Sequence, residues 1–106
     1  MKLTVILDMD GTIADLYKVE NWLGKLRNFD PTPYAEAALM VADIAKAVAE
    51  IRKAGAEVKV VSWLSKETNS DFDKLVRKAK RDWLAEQGIE VDSVRCVPYG
   101  TQKAYY

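Results

Sequence analysis

A short apolar run, Leu3-Thr4-Val5-Ile6-Leu7, stops abruptly on two aspartates in Asp8-Met9-Asp10-Gly11-Thr12. The run is rich in β-formers and too short for a helix. It reads as a buried strand of the parallel-sheet kind. Two carboxylates at the exit of such a strand are costly to bury together unless a cation or hydrogen bonds compensate. Gly11 lets the backbone turn sharply beside them, and free N–H groups opening a following helix can hold an anion. In open α/β sheets, ligands bind outside the carboxyl ends of the strands. The plain alternative is that Asp8 or Asp10 merely caps the turn. For a lone Asp-x-Asp that would be the default reading; the full Asp-x-Asp-Gly-Thr string weighs against it.

The rest of the chain reads as helices and strands in alternation. Thr12 and Asp15 have capping-box spacing, so a helix carrying Leu16, Val19, Leu23 and Leu26 on one face is expected to follow. Residues 28–34 read as a loop because Pro31 and Pro33 break any period. Ala37, Val41, Ile44, Val48 and Ile51 predict one long helix over 36–53, stopped by Gly55. Residues 57–64 predict a second strand. Residues 71–87 predict a helix with Ser70 as N-cap, Asp73 at N3, and Phe72, Leu75, Val76, Ala79 and Trp83 as its buried stripe, ended by Gly88. A third strand is expected near 91–97, and Pro98 and Gly100 mark a turn. The order β-α-α-β-α-β implies one α/β domain with a parallel sheet in a Rossmann-like layered fold.

Composition narrows the chemistry. With 106 residues the chain forms one domain and needs no disulfide to hold a core. Lys+Arg and Asp+Glu are both 16, which argues against binding a nucleic acid polymer by bulk charge. A small anion held by local donors remains open. There is no histidine, which removes Ser-His and Cys-His catalysis and the usual zinc sets. The single cysteine, Cys96, reads as a small buried hydrophobe, and a reducing, cytoplasmic setting is expected. No run is long enough for a signal peptide or a membrane span, so no membrane partner is expected.

Val5-Ile6-Leu7 followed by Asp8-Met9-Asp10-Gly11-Thr12-Ile13-Ala14-Asp15 resembles the first motif of the haloacid dehalogenase (HAD) superfamily. Val58-Lys59-Val60-Val61-Ser62 resembles the second motif, an apolar strand ending in Ser or Thr. Lys80-Arg81-Asp82-Trp83-Leu84 is similar to the third motif, a helical Lys, as it stands in the small 5′(3′)-deoxyribonucleotidase-like branch, and the later Tyr99-Gly100-Thr101-Gln102-Lys103 also resembles that branch. The resemblance covers essentially the whole chain. It implies a three-layer HAD core and a Mg²⁺-dependent phosphohydrolase acting on a small phosphate monoester, with a nucleotide or deoxynucleotide suggested by the branch. Asp8 would be the nucleophile, Asp10 the general acid and base, and Lys80 the cation pairing with Asp8 and the phosphoryl group. Gly11, Thr12, Ser62 and Trp63 would bind substrate. The Asp8 side chain and the Asp10 carbonyl would ligate Mg²⁺. Residues 16–36 would form a minimal cap. Trp22, Trp63 and Tyr34 could stack on a base, though ordinary packing is the commoner role for each.

One departure stands beside the match. The family's fourth motif, an acidic pair at the end of a later strand, has no counterpart after Lys80, because Asp92 falls at the start of its strand. The core is therefore expected to be C-terminally incomplete, with the first strand as an unpaired edge. A second copy of the chain is one way of covering such an edge. The alternative function is a catalytically impaired HAD-like domain serving as a binding or assembly module. A receiver domain also uses an aspartyl phosphate, but the segment Val61–Leu64 lacks the acceptor such a domain needs.

Overall fold

The computed structural model describes residues 3–66 and 69–100. In chain order, β1 (Thr4–Leu7) leads through β2 (Ala14–Asp15), a 3₁₀ turn (Leu16–Lys18), α1 (Trp22–Arg27), α2 (Thr32–Glu36), β3 (Ala38–Leu39) and α3 (Ile44–Lys53). Then come β4 (Glu57–Trp63), α4 (Ser70–Glu86) and β5 (Ser93–Val97). The main sheet has the order β1-β4-β5, and both pairings are parallel, as the sequence predicts. Val5 lies beside Val58 and Ser62 beside Cys96. β4 ends at Trp63, one residue before the expected bound, although the Leu64 N–H still donates to the Val97 carbonyl at 2.8 Å.

Alternation along β4 decides where the core sits. Val58 and Val60 are buried together with Met9, with Val48 of α3, and with Trp83 and Leu84 of α4. Both long helices therefore cover one face of the sheet. The other face carries the mixed set Thr4, Ile6, Glu57, Lys59, Ser93 and Arg95, in which Glu57 and Lys59 pair at 3.1 Å, together with the buried Val61 and Val97. Of the expected three layers, the described residues supply the sheet and one helical layer. β1 pairs on one side only among those residues.

Both long helices stop on a glycine, for one backbone reason. After α3, Gly55 has φ +100°, its N–H bonds the Arg52 carbonyl, and the Ala56 N–H bonds that of Ile51. After α4, Gly88 has φ +71° and makes the same pair of bonds with Ala85, while Ile89 reaches Leu84. These paired hydrogen bonds satisfy the last helical carbonyls and require a left-handed residue. At the amino end of the sheet, Asp92 accepts from the Val58 N–H at 2.7 Å and from Arg52 at 3.0 Å. It ties β4 to α3, at the end opposite the Asp8 turn.

Between residues 12 and 53 the structure corrects the expected helices. The Met9 carbonyl accepts from the N–H groups of Thr12, Ile13 and Ala14, which winds a tight turn instead of opening a helix. Asp15 then lies in β2, paired antiparallel with Ala38 of β3. The expected helix 36–53 is broken because Ala38 and Leu39 pair with β2, so it starts only at Ile44. Val41, expected on its buried face, is exposed. The proline loop holds α2: the Thr32 N–H donates to Asp30 at 3.0 Å, and a proline in the first turn gives up an N–H that has no partner there anyway. The N-cap of α4 is Asn69, not Ser70; its side chain accepts from the Phe72 N–H at 2.8 Å. Leu75 is exposed, and Lys80 takes a place in the buried stripe. No helix among the described residues is long and apolar enough to cross a membrane. Thr101, Gln102 and Lys103 lie outside the described residues.

Candidate active site

The turn after β1 sorts its side chains by alternation. Met9 is buried in the core, while Asp8 and Asp10 both line a cavity of about 560 Å³. The cavity opens at the carboxyl ends of the strands, where Trp63 and Tyr99 also line it. Asp8 accepts from the Met9 N–H at 2.9 Å, and the Thr12 hydroxyl approaches its other oxygen at 3.5 Å. Gly11 has φ +78°, and a Cβ there would stand 2.7 Å from the Tyr17 ring. The glycine is thus required twice, by the backbone and by the close approach of Tyr17.

Lys80 reaches this turn from α4. Its side chain is fully buried, and its Nζ donates to Asp10 at 2.8 Å, to the Ser62 hydroxyl at 2.6 Å and to the Trp63 carbonyl at 2.7 Å. An ammonium has three N–H bonds, and three acceptors meet them. Ser62 in turn approaches Asp10 at 3.5 Å. Asp10, Ser62, Trp63 and Lys80 therefore form one linked cluster, with Asp8, Gly11 and Thr12 on the adjoining turn. The carboxylate that Lys80 meets at 2.8 Å is that of Asp10, a contact beyond the Asp8 pairing that the resemblance implied.

The cavity walls are aromatic. Tyr17 and Trp22 meet edge to face with centroids 4.9 Å apart, and Trp63 and Tyr99 meet at 5.0 Å. Burial and the neighbouring charges of Asp10 and Asp8 hold the Tyr17 phenol proton more tightly than usual. Tyr34 is buried too, and burial, then the Asp10 charge, push its ionisation upward. Cys96 behaves as expected of a half-buried thiol, its ionisation raised by burial. Tyr17 and Ser65 were not singled out from the sequence as site residues, and no pattern there marks them; Tyr99 entered as part of the Tyr99–Lys103 resemblance, with no role of its own. Tyr17 joins the site through the segment between β2 and β3, whereas Ser65 and Tyr99 reach it from just beyond the ends of β4 and β5.

Among the described residues, no group of three or more His, Cys, Asp or Glu side chains converges as a metal cage. The Asp8 carboxylate and the Asp10 main-chain carbonyl are hard oxygen donors on one turn. Such a pair suits Mg²⁺, which binds through few carboxylates and keeps several waters.

No family model matches the sequence, and a search of curated proteins gives no match. Solved structures do resemble it. A chain of the Pnkp1/Rnl/Hen1 RNA repair complex is similar at a TM-score of 0.62 and 16% identity, over 96% of this chain and 27% of that one. The D,D-heptose 1,7-bisphosphate phosphatase of B. bronchiseptica, complexed with magnesium and phosphate, is similar at a TM-score of 0.55 and 19% identity, over 97% of this chain and 53% of that one. The chain thus spans about a quarter of the first and about half of the second. At such identities the likeness concerns the fold. That fold is HAD-like, an α/β, Rossmann-like arrangement around a parallel three-stranded sheet.

Proposed function

We propose that the chain is a phosphohydrolase that cleaves a small phosphate monoester through an aspartyl phosphate on Asp8, with a nucleotide or deoxynucleotide as substrate. The observation that carries this reading is the buried Lys80 bonded to both Asp10 and Ser62 beside Asp8. Burying an ammonium is costly, and a cluster of this kind matches the need to neutralise a phosphoryl group next to a carboxylate nucleophile. Asp8 attacks phosphorus, the ester P–O bond breaks, and protonated Asp10 gives its proton to the leaving alkoxide. Water then attacks the aspartyl phosphate. Asp10 takes the water proton, and inorganic phosphate leaves with Asp8 restored as carboxylate. Ser62 and Lys80 hold phosphoryl oxygens, and for this Lys80 exchanges one of its three protein acceptors. Bound Mg²⁺, held by Asp8 and the Asp10 carbonyl, would supply further positive charge at the phosphoryl group.

The nucleotide reading rests on the walls. Two aromatic pairs, Tyr17–Trp22 and Trp63–Tyr99, line the same cavity as Asp8 and offer faces to a planar base. Residues 16–36, which lie between β2 and β3, would act as the minimal cap. The test is turnover of para-nitrophenyl phosphate with and without Mg²⁺, in the protein and in Asp8→Asn, followed by a panel of nucleoside monophosphates. Activity lost in Asp8→Asn supports the assignment. No turnover in either would favour the binding-module reading instead, and equal turnover in both would remove Asp8 from its role.

A further inference from the structure

The fully buried ammonium of Lys80 has one more neighbour that no hydrogen bond explains. The ring centroid of Tyr34 lies 4.6 Å from its Nζ. Tyr34 is 3% exposed and Lys80 0%, so water screens neither group. The three N–H bonds of Lys80 already point at Asp10, Ser62 and the Trp63 carbonyl. An aromatic face attracts a cation through its quadrupole, without claiming one of those protons, and does so more strongly where both are desolvated. Tyr34 is itself fixed from the far end, because its hydroxyl is hydrogen-bonded to the side chain of Ser65, itself buried. Ser65 closely follows β4, and α2, which carries Tyr34, packs on α4, which carries Lys80. The ring therefore stands between two fixed supports.

We infer that Tyr34 is a positioning residue: its ring face holds the Lys80 ammonium against Asp10 and Ser62, while Ser65 fixes the ring through the hydroxyl. The catalytic meaning of this contact rests on the proposed phosphohydrolase reading; the hold itself does not. Two variants separate the parts of the side chain. Tyr34→Phe keeps the ring and loses the Ser65 bond. Tyr34→Leu keeps apolar bulk and loses the ring; if it does not fold, Tyr34→Met takes its place.

The first readout needs no turnover. It is the exchange of the Lys80 ammonium protons with water, followed by NMR on protein labelled with ¹⁵N at lysine Nζ, with Lys80→Met assigning the signal. Exchange should be slow in the natural protein and in Tyr34→Phe, and about tenfold faster in Tyr34→Leu. The second readout is the split of kcat from KM with para-nitrophenyl phosphate. Tyr34→Leu should lose about tenfold in kcat at nearly unchanged KM, and Tyr34→Phe should stay within about threefold of the natural protein. Equal ammonium exchange in all three proteins would reduce Tyr34 to a packing residue, as would kcat losses shared equally by both variants. If no phosphate ester is turned over at all, the phosphohydrolase reading falls, and the exchange measurement still decides on Tyr34.

Discussion

Lys80 and Asp10 are separated by 70 positions in the chain and meet at 2.8 Å, the lysine fully buried and the carboxylate 16% exposed. A charge pair of this kind is a weak source of net stability, since desolvation offsets most of the attraction. Its members nevertheless depend on each other, because removing one leaves the other in a poor solvent.

Lys80→Met should accordingly destabilise the fold by about 3 kcal/mol, read as a lower urea midpoint. Adding Asp10→Asn to that variant should cost much less than Asp10→Asn does alone. Strict additivity of the two changes would mean that the pair is not coupled.

Gly11→Ala should cost about 1–2 kcal/mol, because its φ of +78° disfavours a side chain. The new methyl group would also push the Tyr17 ring away, since the two would stand 2.7 Å apart. Near-ultraviolet circular dichroism should report the change at the Tyr17–Trp22 pair. An unchanged spectrum at unchanged stability would show that Tyr17 does not depend on this glycine.

Stability should fall at alkaline pH, and Tyr34 should carry part of the fall. Burial raises its ionisation in the folded state above the ordinary value of 10.0. The unfolded chain therefore loses the phenol proton first, binds fewer protons than the native state above pH 10, and gains relative stability as pH rises. This contribution is complete below the unfolded value and is lost as pH climbs toward the folded one. Cys96, raised from 9.0 by burial, adds a loss of the same sign that starts lower. Urea midpoints measured from pH 8 to pH 11 should decline less steeply in Tyr34→Phe. An identical slope in that variant would remove Tyr34 as a contributor.

Mg²⁺ should bind weakly, since the Asp8 carboxylate and the Asp10 carbonyl supply two protein oxygens, and Asp8→Asn should remove the binding. Calorimetric titration checks both statements. Tight, stoichiometric binding would require another acid at the site.

The parts legible in the sequence were those whose side chains pack on neighbours in a regular period. β1 announced itself as an apolar run, β4 and β5 fell within the stretches expected as strands, and α4 was marked by its stripe from Phe72 to Trp83. Asp8, Asp10, Ser62 and Lys80 were readable as motif positions, and the fold brings Asp10, Ser62 and Lys80 together. The stretch from Thr12 to Asp43 was not legible, because tertiary contacts override its local preference there. Ala37 and Ala38, which suit a helix, are drawn off by the β2–β3 pairing and by the Trp83 indole, which donates to the Ala37 carbonyl at 2.7 Å. A buried ring beside a buried lysine leaves no periodic trace at all, so Tyr34 gained its place only in three dimensions.

The pairing of Ala14–Asp15 with Ala38–Leu39 has a consequence for how such a chain can diversify. The segment between them leaves and rejoins the body at one narrow neck. Lengthening a loop closed in this way is cheap, about 0.6 kcal/mol for each doubling. Descendants of this sequence are free to enlarge or trade that segment, and with it the shape of the chamber above the aspartates, without disturbing the strands below. The restraint on such exchange is local: whatever replaces the segment must still set an aromatic face against the lysine.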